Sequence, residues 1–328
     1  MRQKAEVRSF DAGHAQAARQ WQSDCRRGLT RGLNLEAFLA GRAAGKVDPL
    51  NAEITAEESR GTYTLHEIAL DVMPGWRIPA LLTVPKAGDG SFPGVVFVGA
   101  TMEGVYPESK LFPWSEYLKS RGLKDGALGY GAIMAENGYV TIAAAGLPAS
   151  PLAPDLEERT PLTHPGAPDG ARNSNATERF QIQVRLADYL CSRGEVNAGR
   201  IGIVGCCKWA AAACQVAALD LRIGAVVSSC LLMRDGRSVP FPFAGPDQPP
   251  FELPDLYGLI APRPVLCQFG ENDQHRPSYP TEAELEEVRR RYGVLGARAG
   301  DFEVFWHPGK HIIEQSSMPV FFGKALAV

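Results

Sequence analysis

The chain has 328 residues, of which 45% are hydrophobic and 22% charged, and this balance is typical of a protein that buries a sizeable core. Its formal net charge of −3 gives no electrostatic reason to expect a nucleic acid or an anionic membrane as a partner. Seven cysteines, without C-x-x-C pairs or zinc-like Cys/His spacing, favour reduced thiols that mostly fill the core.

The N-terminal part of the chain is polar and has helical periodicity, most clearly in LNLEAFLAGRAAG. We therefore expect residues 1–50 to form an N-terminal helical extension and residues 51–328 to form one domain. The first residues lack the apolar h-region of a secretory signal, and no apolar run reaches the length of about 20 residues that spans a bilayer. A cytoplasmic location is the resulting expectation.

The strand pattern begins with a hairpin and continues with buried strands. TYTLHEIALDV and WRIPALLTV flank a Met73-Pro74-Gly75 turn and predict two antiparallel strands. Short apolar runs of the kind found in parallel sheets then alternate with helical segments. These runs are VVFVGA, YVTIAAAG, RIGIVG, IGAVVSSC and PVLCQFG. The alternation predicts an α/β fold with a mostly parallel central sheet and helices on both of its faces.

Two segments, Thr101–Gly131 and Leu147–Asn175, are long for connections in a compact domain. Loops of this length are often lids or binding loops, although surface decoration would explain them almost equally well. In an open parallel sheet they would cover the strand ends where ligands bind. The first segment contains three aromatic residues that are candidates for substrate binding: Tyr106, Phe112 and Trp114.

The stretch RIGIVGCCKWAAAACQV joins an apolar strand to an alanine-rich helix through a sharp break. This is the strand-turn-helix context of the nucleophile elbow, usually written G-x-S-x-G. The spacing from Gly205 selects Cys207 as the nucleophile, with Cys206 pointing into the packing. A thiol becomes a nucleophile beside a base, a helix N-terminus or a cation. Cys207 opens a helix and adjoins Lys208; the alternative is that Cys207 is a structural thiol.

A carboxylate and a histidine follow two later predicted strands. APRPVLCQFGENDQHRP presents Asp273 in a turn, and FEVFWHPGKHIIEQ presents His311 in a Gly-containing loop before the last helix. The order nucleophile, acid, histidine is that of α/β-hydrolases. We expect His311 to act as the base and Asp273 to orient it, with His275 and His307 as nearby alternatives for the base.

From about Pro49 to its C-terminus the chain resembles the α/β-hydrolase superfamily, in particular its acetyl xylan esterase-like and dienelactone hydrolase-like branch. The similar stretches are PGWRIPALLTVPK, FPGVVFVGA, ENGYVTIAAAG, ADYLCSRGEVNAGRIGIVG, AALDLRIGAVV and LIAPRPVL. Dienelactone hydrolases use a cysteine at the elbow, which supports Cys207. Glucuronoyl esterases have a basic residue directly after their serine, and Lys208 resembles that arrangement. The resemblance implies an α/β-hydrolase fold and a Cys-His-Asp triad.

Two positions depart from the family pattern. Val98-Gly99-Ala100 stands where His-Gly usually opens the oxyanion hole, but backbone N–H groups of Ala100 and Lys208 would still serve as its donors. Trp209 replaces the second elbow glycine, which normally permits close packing of helix on strand. We expect Trp209 to be buried beneath the site, accommodated by the small side chains of Ala210–Ala213.

The predicted function is a cysteine-dependent hydrolase that cleaves an ester, lactone or thioester through a thioester acyl-enzyme. Its partner would be a small-molecule substrate, it would need no metal or organic cofactor, no nucleic acid and no membrane, and formation of a homo-oligomer is left open. Two alternatives remain. An acyltransferase or cyclase could use the same triad if water were excluded. A catalytically silent binding scaffold would explain the two departures as lost activity.

Overall fold

The computed structural model describes residues 10, 14–73, 76–88, 90–98, 129–144, 174–233 and 252–327, without the side chains of residues 76, 174–176 and 208. The chain divides into two compact units. The first comprises Met1–Val47, Asp169–Phe180 and Cys206–Ile313. The second comprises Asp48–Pro168, Gln181–Gly205 and Glu314–Val328. The expected division at residue 50 stays a prediction.

The strands of the described ranges are β1 (Glu53–Arg60), β2 (Tyr63–Met73), β3 (Trp76–Pro85), β4 (Phe92–Phe97), β5 (Val140–Ala144), β6 (Val196–Cys206), β7 (Ile223–Ser229), β8 (Val265–Gly270) and β9 (Phe302–His307). The helices are α1 (Ala15–Gly32), α2 (Glu36–Ala43), α3 (Tyr130–Glu136), α4 (Ser174–Ser192), α5 (Lys208–Leu219), α6 (Leu253–Ile260), α7 (Glu282–Val294) and α8 (Ser317–Ala325). In the described part of the chain, none of the helices is long and apolar enough to cross a membrane.

The second unit contains a mixed sheet with the strand order β1-β2-β3-β5-β4-β6. β2 and β3 pair antiparallel with Leu70 opposite Ile78, which confirms the hairpin predicted from the sequence. β4 pairs parallel with both β5 and β6, and Val96 lies opposite Ile142 and Ile203. All three of these side chains are fully buried, because a central parallel strand is covered on both faces.

β1 is a strand that the sequence pattern does not reveal. Its residues EITAEESR are exposed from Glu53 to Ser59, and it forms the edge of the sheet beside β2. Neither face of β1 is buried, so its sequence shows no apolar alternation from which a strand could be inferred.

The first unit contains the parallel strands β7, β8 and β9, with β8 in the middle. Helix α5 packs on β7 and α6, and α1 packs on α5 and α6. Two polar side chains of α1 hydrogen-bond to carbonyls at the C-terminal ends of α5 and α6. Gln22 donates to the carbonyls of Gly258 and Ala261 at 2.7 and 2.8 Å, and Arg26 donates to the carbonyls of Ala218 and Leu259 at 2.9 and 2.7 Å. The last carbonyls of a helix have no partner within the helix, so α1 satisfies them from outside.

Trp209 lies in the first turn of α5, and 2% of its surface is exposed. The expectation that the indole is buried is confirmed. The guanidinium group of Arg179 on α4 lies over its ring, 5.1 Å from the centroid. The four following alanines, which cover a full turn of α5, are buried as well, so this turn carries little side-chain bulk.

Replacing Trp209 by Ala should lower the free energy of unfolding by about 3–5 kcal/mol, because a buried indole leaves a large cavity. Leu221, which is 65% exposed just after α5, provides the control, and Leu221→Ala should be close to neutral. Urea titration followed by circular dichroism would measure both. Equal stabilities of the two variants would show that the Trp209 side chain is not part of the core.

Candidate active site

The elbow joins β6 to α5 through a single residue with an unusual backbone. Cys207 has φ 58° and ψ −127°, a left-handed conformation that is strained for a residue with a side chain. Its N–H donates to the carbonyl of Ser229 at 2.9 Å, and its own carbonyl accepts from Ala210 at 3.0 Å. These two bonds hold the turn, and the Cys207 side chain is half-buried rather than enclosed.

Asp273 follows β8, and its carboxylate is fully buried. One oxygen accepts from the His275 N–H at 2.8 Å. The other accepts from the Tyr279 hydroxyl and from His311 Nδ1, the latter at 2.5 Å. Burial alone would raise the pKa of Asp273, but these hydrogen bonds favour the ionised form and lower its pKa overall. The carboxylate is therefore held ionised in a fixed orientation.

His311 lies between the carboxylate and the elbow cysteine. Its Nδ1 is bonded to Asp273, and an interaction with the Cys207 side chain makes the largest contribution that raises its pKa. Burial lowers the pKa of His311, but the bond to Cys207, the charges of the nearby thiolates of Cys230 and Cys207 and the bond to Asp273 raise it to about 9. The protonated imidazolium is therefore the form of His311 that this arrangement favours.

The loop that carries His311 is fixed to the end of β8. Glu271 N–H donates to the His307 carbonyl at 2.8 Å, and Asn272 Nδ2 donates to the Pro308 carbonyl at 2.6 Å. Gly270 makes this approach possible, because a Cβ atom there would lie 2.2 Å from the Lys310 carbonyl oxygen. The acid and the histidine are thus positioned as one unit.

A second cysteine, Cys230, lies directly after β7 with φ 51°, and its side chain is fully buried. Its sulfur is 3.4 Å from the Ile312 carbonyl oxygen. A hydrogen bond from Cys206 lowers the pKa of Cys230, and although burial acts in the opposite direction, His307 and the charge of His311 also favour the thiolate. Cys206, which is half-buried like Cys207, interacts with Cys230 through its side chain.

The structure brings together the three residues predicted from the sequence as nucleophile, acid and base. The histidine alternatives take other roles: His275 packs edge-on against His311 with centroids 5.1 Å apart, and buried His307 accepts from the Gly309 N–H through Nδ1. The remaining predicted site residues lie outside the described residues or lack a described side chain. Ala100, Tyr106, Phe112 and Trp114 belong to the former, and Lys208 to the latter.

Sequence reasoning missed two members of the site, Tyr279 and Cys230. Cys230 ends the apolar run IGAVVSSC, and its position at a strand end was a signal that the interpretation of the cysteines as core residues overlooked. Tyr279 follows a short 3₁₀ turn, Arg276–Ser278, and no pattern marks it as a partner of Asp273.

Comparison with known proteins identifies similar sequences and similar folds. No protein-family model matches the chain. Among curated proteins it is similar to the "Putative hydrolase YtaP" of Bacillus subtilis (strain 168), with 26% identity over 268 residues, 76% of this chain and 83% of that protein. Among solved structures it is similar to a "putative acetyl xylan esterase" from Bacteroides fragilis NCTC 9343, with a TM-score of 0.65 and 18% identity over 91% of this chain and 78% of that one.

A glucuronoyl esterase from Solibacter usitatus gives a TM-score of 0.63 with 17% identity, over 86% of this chain and 88% of that one. The chain has the α/β-hydrolase fold. The fold expected from the sequence is confirmed, including its antiparallel N-terminal hairpin. In this α/β-hydrolase fold, Cys207, Asp273 and His311 follow β6, β8 and β9, which is the chain order of an elbow hydrolase.

The raised pKa of His311 is open to direct measurement. Titration of its ring protons by NMR should give a pKa of about 9 in the native chain, and Cys207→Ala should lower that value, because the bond to Cys207 is its largest raising contribution. Cys191→Ser on α4 should leave the pKa of His311 unchanged, because Cys191 is not among the groups that shift it. A pKa of His311 that is the same with and without the Cys207 sulfur would contradict the described contact.

Proposed function

We propose that the chain is a hydrolase of carboxylic esters, lactones or thioesters with Cys207 as its nucleophile. The observation that carries the proposal is the half-buried Cys207 on a left-handed turn, whose side chain interacts with His311, which is itself bonded to the buried carboxylate of Asp273. A nucleophile, a base and a group that orients the base are the parts that acyl transfer requires.

Two cysteines lie near His311, and their exposure distinguishes them. Cys230 is fully buried, so a substrate carbonyl has no surface from which to reach its sulfur. Cys207 is partly exposed at the start of a helix, where the positive end of the helix dipole favours a thiolate. Cys207 is therefore the residue that we assign as nucleophile.

The proposed reaction starts with transfer of the Cys207 proton to His311 Nε2. The thiolate attacks the substrate carbonyl, and the tetrahedral intermediate collapses to a thioester while His311 gives the proton to the leaving group. Water, deprotonated by His311, then cleaves the thioester and restores the thiol. Asp273 keeps the imidazole in the required tautomer throughout.

The oxyanion of each tetrahedral intermediate needs donors. The first N–H groups of a helix lack acceptors within the helix, and Lys208 supplies such an N–H at the start of α5. The backbone N–H of Ala100 is the second proposed donor. The names of the similar proteins, a hydrolase, an acetyl xylan esterase and a glucuronoyl esterase, support an ester as the substrate.

Substitution of the triad tests the proposal on a panel of esters, lactones and thioesters. Cys207→Ala and His311→Ala should each reduce turnover by at least about 10³-fold, because each removes a group that reacts or moves a proton. Asp273→Asn should reduce it by about 10²- to 10⁴-fold. Cys191→Ser is the matched cysteine control and should retain full activity.

Labelling by a thiol-directed electrophile, read by mass spectrometry, separates the proposal from its rivals. Selective modification of Cys207 with hydrolysis of a panel member supports it. Turnover by Cys207→Ala within about tenfold of the native chain would refute the assigned nucleophile. Inert Cys207 together with no turnover would favour a binding scaffold, and labelling with turnover only when an amine or alcohol acceptor is added would favour an acyltransferase.

Lys208 offers a separate prediction about charge. A lysine beside the nucleophile favours a thiolate or a developing oxyanion, so Lys208→Met should slow both hydrolysis and alkylation of Cys207 at neutral pH. Lys324→Met in α8 is a control for the loss of one positive charge. If Lys208→Met changed neither rate relative to Lys324→Met, the charge of Lys208 would have no role in the reaction.

A further inference from the structure

Cys230, Asp273 and His311 form a compact group of three side chains, which we call the Cys230 cluster. The Cys230 sulfur, a carboxylate oxygen of Asp273 and an imidazole nitrogen of His311 all lie within 4.8 Å of one another. Cys230 and Asp273 are buried, whereas 26% of the His311 side chain is exposed. The cluster is enclosed, but one of its members is accessible from outside.

The spacing of these atoms is close to that of a tetrahedral metal site. Zinc bonds of about 2.0 Å to nitrogen or oxygen and about 2.3 Å to sulfur place the ligand atoms roughly 3.3–3.6 Å from one another. His311 Nδ1 and Asp273 Oδ2, 2.5 Å apart, would separate by nearly 1 Å, and the sulfur, within 4.8 Å of both, would move closer to them by at most about 1.3 Å. Rotation of side chains is enough for such changes.

We propose that the Cys230 cluster is a binding site for a thiophilic divalent cation such as zinc. Sulfur, nitrogen and carboxylate oxygen together suit zinc and cobalt, whereas calcium and magnesium prefer oxygen ligands alone. The fourth position would be filled by water or by a group from a bound molecule, as in sites with three protein ligands.

The residues around the cluster already orient its ligands. Asp273 receives hydrogen bonds from the Tyr279 hydroxyl and the His275 N–H, the type of outer contact that fixes a ligating carboxylate. Cys230 is fixed through its backbone, whose N–H donates to the Gln268 carbonyl at 2.7 Å. Two of the three ligands are thus held in place before a cation arrives.

Occupancy of the cluster would stop the reaction proposed above. A cation on Nδ1 replaces the proton shared with Asp273, so His311 would no longer be oriented as a base for Cys207. Inhibition depends on the proposed function, but cation binding does not. The two ideas can therefore fail separately.

Titration with Co²⁺ in the presence of a non-chelating reductant tests the site without any activity assay. The native chain should bind one Co²⁺ with an absorption band from thiolate-to-cobalt charge transfer. Cys230→Ser should lose that band and bind at least tenfold more weakly. Cys207→Ala and Cys191→Ser should keep the band, because neither sulfur belongs to the cluster.

No band in the native chain, a band that survives in Cys230→Ser, or a band that disappears in Cys207→Ala would overturn the proposal. Circular dichroism shows whether Cys230→Ser is folded. If it is not, His311→Ala decides, because its side chain is partly exposed and its removal should lower Co²⁺ affinity at least tenfold. Unchanged affinity in His311→Ala would refute the site.

Discussion

The left-handed backbone at Cys207 is the constraint from which the rest of the site follows. A residue with a side chain adopts such a conformation at a cost of about 1–3 kcal/mol, so the surrounding structure has to enforce it. The hydrogen bond to Ser229 fixes the entry to the turn, and the buried first turn of α5 fixes its exit.

The buried negative charge of Asp273 is the second constraint, and it explains why hydrogen-bond donors surround the carboxylate. Asp273 is buried, and a buried carboxylate is stable only where donors surround it. Tyr279, the His275 N–H and His311 supply those donors, and none of the three requires the carboxylate to be protonated. One imidazolium at His311 then offsets the negative charge of the carboxylate. The site is a small network whose members set one another's protonation.

The fold and the positions of the three proposed catalytic residues were accessible from the sequence, because each depends on a local signal. Apolar runs mark the buried strands that precede Cys207 and Asp273, and His311 follows the half-buried strand β9 in a Gly-containing loop. β1 could not be predicted from the sequence, since an exposed edge strand has no apolar face. The contacts of Tyr279 and Cys230 depend on how β7, β8 and the His311 loop pack together. Contacts between segments that are distant in sequence produce no hydrophobic periodicity, so the sequence alone could not predict them.

The lack of a side chain at Gly270 limits which residues this position can accept. The carbonyl of Lys310 occupies the space where any other residue would place its Cβ. A mutation there would push away the segment that carries His311, while β8 itself could remain paired with its neighbours. Folding and chemistry would then be affected to different degrees by a single methyl group. Gly270 therefore influences the chemistry of the His311 loop, even though it bears no functional group.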